Sequence, residues 1–173
     1  QDQRVPERCV GVDQATGDFC LPTPAPAKVL LLTAGSGITP VMGMLRNHLD
    51  ELADAAHVHC APTASDVIFA DELHSYADSG RLALTLNLDD EHGVLDLENL
   101  DTLVPDWRER ETWLCGPTGL LDAAEAHWAA AGLADALHTE RFRPSTIEPG
   151  EGGTVTFSAS GRTLAELVRD LEG

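Results

Sequence analysis

Gly35-Ser36-Gly37, with Thr39 and Pro40 close behind, is the first place in this chain where residue types and spacing point to chemistry. Four apolar residues, Val29-Leu30-Leu31-Leu32, run into it, and apolar residues recur at helical spacing after it. A turn almost without side chains lets a ligand reach the backbone. The free N–H groups of the next helix then face an anion. The chemistry would be phosphate binding. The turn matches neither common motif: no lysine is near, as a P-loop requires, and the third glycine of the dinucleotide fingerprint is missing. Its other reading is a purely structural turn. Thr39 offers a hydroxyl to a phosphate or carboxamide, or caps its own helix. Pro40 suits the first helical turn.

Cys115-Gly116-Pro117 is the second such place. Gly116 allows close approach of a flat ring, and Cys115 offers a small polarizable surface. No histidine–carboxylate pair stands at a spacing that would make Cys115 a nucleophile. Its other reading is a buried thiol at a strand end. His57 and His59 alternate along a strand and so share a face. A metal pair there would lack evident carboxylate or cysteine partners, and no metal site is expected. Cys9, Cys20, Cys60 and Cys115 lie too far apart for a zinc or iron–sulfur spacing.

Eleven basic and 29 acidic residues give a net charge of −18. That argues against a nucleic-acid backbone or an anionic membrane as partner, and for a protein partner with a basic face. No signal peptide opens the chain, and no apolar run reaches membrane length. Cysteines at the ends of apolar segments fit a reducing compartment, so the expectation is cytoplasmic.

The elements that must position these residues alternate. Strands are expected at 29–32, 57–60, 81–88, 111–115 and 136–142, with helices from Thr39, from Ser65 or Asp66 to Ala77, and after Gly116-Pro117, with Leu121, Ala124, Trp128 and Ala131 on one stripe and Gly132 as its C-cap. A short helix is expected around Leu97–Val104, and Val94-Leu95 reads as extended. Such alternation gives a parallel sheet covered on both faces. The loops 35–40, 61–65 and 115–118 each follow a strand, so all three can meet in one crevice at the carboxyl edge. Residues 1–28 read as two short strands, one at Asp18-Phe19-Cys20-Leu21-Pro22, and a proline-rich connector. Residues 144–153 read as a linker, and 154–173 as one strand and one short helix.

Leu32-Thr33-Ala34-Gly35-Ser36-Gly37-Ile38-Thr39-Pro40, Asp66-Val67-Ile68-Phe69-Ala70-Asp71-Glu72-Leu73 and Leu114-Cys115-Gly116-Pro117 together resemble the pyridine-nucleotide domain of the ferredoxin–NADP reductase superfamily. More narrowly, the chain resembles bacterial reductases with a flavin barrel, a nicotinamide domain and a plant-type [2Fe–2S] domain. The resemblance implies a five-stranded parallel sheet of order 3-2-1-4-5 over residues 29–143. It also implies a remnant of the flavin barrel in 1–28 and a partial β-grasp, ferredoxin-like segment in 154–173. It places Gly35, Ser36, Gly37, Thr39 and Pro40 at the pyrophosphate and nicotinamide end of NAD(P)H. Thr63 joins them on the loop after the second strand, and Cys115, Gly116 and Pro117 line the hydride path. Thr39 and Cys115 are the catalytic candidates.

The implied activity is transfer of hydride electrons from NAD(P)H to FAD, and onward to an iron–sulfur, oxygenase or desaturase partner. The FAD motif and the Cys-x4-Cys-x2-Cys cluster run of that family are not found. Where NADPH users carry Ser-Arg-Thr, this chain has Ala61-Pro62-Thr63, which leans toward NADH. The alternatives are a truncated, catalytically inactive nucleotide-binding domain and an acidic protein-docking α/β module.

Overall fold

The computed structural model describes residues 17–142. The expectations for 9–12, 144–153 and 154–173 lie outside these residues. Five parallel strands form one sheet in the order β3-β2-β1-β4-β5, as expected. They are β1 Lys28–Ala34, β2 Asp54–Ala61, β3 Ala83–Leu88, β4 Glu111–Cys115 and β5 Leu137–Glu140. The helices are α1 Ile38–His48, α2 Ala70–Asp78, α3 Asp89–His92, α4 Leu100–Leu103 and α5 Thr118–Ala130. No helix among the described residues is long and apolar enough to cross a membrane.

β1 is central, and its residues 29–32 have no exposed surface, which is why they read as an unbroken apolar run. Val29 and Leu31 pack with Ile38, Val41, Met42 and Leu45 of α1 and Leu73 of α2. Leu30 and Leu32 face the other way, against Leu121, Ala124 and Trp128 of α5 and Leu97, Leu100 and Trp107. The chain winds outward from β1 to β3 and then returns across the sheet to β4. Strand order therefore reverses between β1 and β4, the place where parallel sheets leave an opening.

Several local expectations are corrected. Thr39 is not an N-cap: Gly35–Gly37 forms a 3-10 turn that runs directly into α1, so Thr39 lies inside the helix. Its hydroxyl donates to the Ser36 carbonyl at 2.9 Å. The second helix begins at Ala70, not near Asp66, because Phe69 takes a left-handed backbone (φ 61°) that no helix can pass through. The Arg46 guanidinium lies 5.0 Å from the centre of the Phe69 ring. Residues 18–22 are not a strand; they lie against the sheet, with Leu21 buried and the Trp113 indole donating to the Cys20 carbonyl at 3.2 Å. Val94-Leu95 is not extended strand.

At the amino edge, Arg110 joins three strands. Its guanidinium donates to the carbonyls of Val29 and Asp54 and to the carboxylates of Asp54 (2.8 Å) and Asp106 (2.7 and 3.0 Å). It is 8% exposed. Arg110→Leu removes its hydrogen bonds to Asp54, Asp106 and the two carbonyls, while Asp106 keeps Lys28 and both carboxylates reach solvent, so a loss of about 2 kcal/mol is expected. Urea unfolding measures it, and a midpoint equal to the parent's would show the network to be dispensable.

Candidate functional site

A cavity of about 1040 Å³ opens at the carboxyl edge of the sheet. The three loops that follow β1, β2 and β4 meet there: Ala34 to Gly37, Cys60 to Pro62, and Gly116 to Leu120 all line it. The first and third loops touch. A Cβ built on Gly37 would lie 2.2 Å from the Cys115 carbonyl oxygen and 2.8 Å from the Gly116 nitrogen. Gly37 has an ordinary helical backbone (φ −60°), so it is glycine for space alone. Gly35 differs, having φ +53° with open surroundings. The α1 N-terminus thus stands over the seam between β1 and β4, where its N–H groups can serve an anion.

Of the residues singled out from sequence, Gly35, Ser36, Gly37, Gly116 and Pro117 lie on the cavity wall. Thr39, Pro40, Thr63 and Cys115 adjoin it in the chain without forming the wall. The Thr63 hydroxyl donates to Asp66 at 2.7 Å and lies 2.8 Å from the Ser65 hydroxyl, which tightens its own loop. Cys115 is fully buried, and burial together with the Glu140 charge pushes its thiol up to about 11. Burial and the Asp89 charge push the Cys60 thiol up to about 12. Both thiols are protonated at neutral pH, so neither supplies a thiolate nucleophile.

His57 and His59 share a face, as their alternation requires, and are fully buried. They are bridged rather than poised for a metal. The Thr33 hydroxyl lies 2.8 Å from His57 Nε2 and 2.7 Å from His59 Nδ1, while His57 Nδ1 and His59 Nε2 have no partner. One hydroxyl donates once, so one ring donates to Thr33 and the other accepts from it. Among the described residues no group of three or more His, Cys, Asp and Glu could hold a metal ion.

The far wall was not legible as a site. Asp89, residues 94–98, Ala123, His127 and Phe142 also line the cavity. Asn87 donates to the Gly93 carbonyl at 2.9 Å, and Gly93 turns the chain back at φ +75°. Asp90 N–H donates to the Pro62 carbonyl at 3.1 Å, tying this segment to the loop after β2. The only signal in the sequence was a charged, irregular stretch after β3.

All described cations are engaged. Lys28 pairs with Asp106 and Glu109, Arg46 with Glu72, Arg81 with Asp50, Arg108 with Asp101, Arg110 with Asp54 and Asp106, and Arg141 with Asp122 and Glu125.

Residues 31–126 match the model of the oxidoreductase NAD-binding domain family. The chain is similar to an "NADPH oxidoreductase" of Mycobacterium tuberculosis, with 50% identity over 86% of this chain and 40% of that protein. It is 37% identical to a glycine betaine monooxygenase reductase subunit of Chromohalobacter salexigens, over 63% of this chain and 33% of that protein. The chain thus spans well under half the length of either relative. Among solved structures, a cytochrome P450 reductase of Amycolatopsis shares the fold, with TM-score 0.65 and 23% identity over 77% of this chain and 44% of that one. With the sheet order, the glycine turn over the β1–β4 seam and the matched residues together, the chain belongs to the oxidoreductase NAD-binding domain family of the ferredoxin/flavoprotein reductase superfamily.

Proposed function

We propose that this chain is the nucleotide-binding module of an electron-transfer reductase and holds NAD(P)H across the carboxyl edge of its sheet. The observation that carries this is the contact of the Gly35–Gly37 turn with Cys115 and Gly116 at the point of strand-order reversal, under a cavity large enough for a dinucleotide. The pyrophosphate would lie on Gly35, Ser36 and Gly37 at the α1 N-terminus. Thr39, Pro40, Cys115, Gly116 and Pro117 would border the nicotinamide, with Thr63 near the other end. Thr39 then positions through its bond to Ser36, and Cys115 packs as a neutral thiol. Bound NAD(P)H supplies a hydride; these residues bind it, orient it and exclude water from one face.

On this reading 29–143 is the nucleotide domain, 1–28 belongs to a flavin-binding part, 144–153 is a linker and 154–173 belongs to a ferredoxin-like part. The described cysteines do not fit an iron–sulfur cluster. Cys60 and Cys115 are buried, protonated and on different strands, and no three-ligand group accompanies them. Residues 1–16 of the segment resembling the FAD barrel lie outside the described residues. No electron-transfer step is therefore assigned to the residues described; nucleotide binding is the function they support. The names of the relatives favour a monooxygenase-type acceptor for the whole protein, and the −18 charge favours one with a basic face.

Calorimetric titration with NADH and with NADPH tests the binding. Saturation by at least one of them below about millimolar concentration is expected, in the affinity range of a nucleotide substrate. Saturation by neither overturns the reading.

A further inference from the structure

From Asp89 to Asp96 the chain has no buried residue, although it forms much of the far wall of the cavity. Val94 is 82% exposed, and Leu95 is only partly buried against the core. Leu88 before the stretch and Leu97 after it are buried, so packing anchors its two ends and not its middle. Among the described residues, two groups tie that middle to other elements. The Asp90 N–H donates to the Pro62 carbonyl at 3.1 Å. The Asn87 amide, at the carboxyl end of β3, donates to the Gly93 carbonyl at 2.9 Å and lies 3.5 Å from the Asp89 carboxylate. Asn87 is 9% exposed and stands in one row with Ala34 of β1 and Cys60 of β2, both of which line the cavity. Packing in that row needs no amide. Burying one is unfavourable unless it is bonded, and the bond this one makes is to the wall.

We propose that Asn87 is a positioning residue for nucleotide binding: through the Gly93 carbonyl its amide holds residues 89–96 closed over the cavity, so the wall is in place before the ligand arrives. This rests on the cavity being the nucleotide site. A stretch without buried apolar contacts opens locally at little cost. One hydrogen bond is worth roughly a factor of three to ten in the ratio of closed to open wall. Only the closed form presents the whole wall, so the observed affinity scales with the closed fraction. Asn87 acts through the wall rather than on the ligand, and removes an ordering cost that binding would otherwise carry. The Gly93 carbonyl is exposed, so water takes it up when the amide is lost, and the fold as a whole is barely affected.

The experiment compares the full parent chain with Asn87→Val, whose branched side chain suits a strand, and with Asn87→Ala as a second variant. Each is titrated with NADH and NADPH, unfolded in urea, and followed by amide hydrogen exchange with and without nucleotide. The Asp90 and Gly93 amides, which donate to Pro62 and Asp89, report on the wall. In the free variants they are expected to exchange roughly three to ten times faster, while amides of β1 and α5 keep the parent's rates and the urea midpoint stays close to the parent's. Nucleotide affinity falls severalfold, and saturating nucleotide slows the two amides again. Affinity equal to the parent's in both variants overturns the inference and leaves the nucleotide-binding reading standing. So does a loss of affinity without faster exchange at the wall, or with faster exchange throughout the domain, because Asn87 then serves the fold alone. Saturation of the parent chain with neither nucleotide overturns the binding reading itself, and the inference with it.

Discussion

Gly37→Ala is expected to cost the domain about 3 kcal/mol and to weaken nucleotide binding more than tenfold. The added Cβ would stand 2.2 Å from the Cys115 carbonyl oxygen and 2.5 Å from its carbon. Both belong to backbone, so no side chain can turn away. Either α1 lifts from the sheet or the loop after β4 retreats, and each movement opens the seam on which the proposed pyrophosphate site rests. Gly35→Ala is the control. Its Cβ meets nothing within 4 Å, and only its left-handed backbone (φ +53°) resists, at about 1 kcal/mol. Urea midpoints and NADH titrations of the two variants separate the cases. If G37A is no worse than G35A, the close approach does not govern this seam.

Acid is expected to destabilise the domain from about pH 6.5 downward, before the arginine-bound Glu72 and Asp106 protonate. Burial and the neighbouring ring hold His57 down to about 3, and burial holds His59 down to about 4. An unfolded histidine titrates near 6.5. Between these values the unfolded chain binds more protons than the folded one, so stability is complete above about pH 6.5 and falls as the pH drops toward 4. Each ring contributes about 1.4 kcal/mol per pH unit once well below 6.5, and the pair loses about 5 kcal/mol by pH 4.5. That is as large as the whole stability of many domains. Glu72 and Asp106, both held near 2 by hydrogen bonds from arginines, add their losses only at lower pH. The triple variant Thr33→Val/His57→Leu/His59→Leu removes both rings and the hydroxyl that bridges them, leaving no new unpaired polar group. Its urea midpoint should hold steady from pH 7.5 to 5 while the parent's falls. A parent midpoint flat over that interval would rule out two neutral buried rings.

The strands were legible because the central ones are buried on both faces, and such strands leave unbroken apolar runs such as Val29-Leu30-Leu31-Leu32. The helices were legible from spacing, except where backbone geometry intervened. Nothing in Ser65 to Phe69 announces that Phe69 will adopt a left-handed conformation, so the start of α2 was placed several residues early.

The sequence by itself determined the winding of β1 through β5, the sheet order that its family resemblance implies, and the three loops that can reach one edge. Those features depend on local periodicity and on short motifs, which a single chain records directly. Only the tertiary structure decided what those loops do to one another. Gly37 is glycine because of a carbonyl 78 residues further on, and Thr33 bridges two histidines of a neighbouring strand. Asp89 and residues 94–98 become a wall because Asn87 and Gly93 fold that stretch back over the sheet. Periodicity says which face a side chain takes; it carries no information about which distant backbone will come to lie against it.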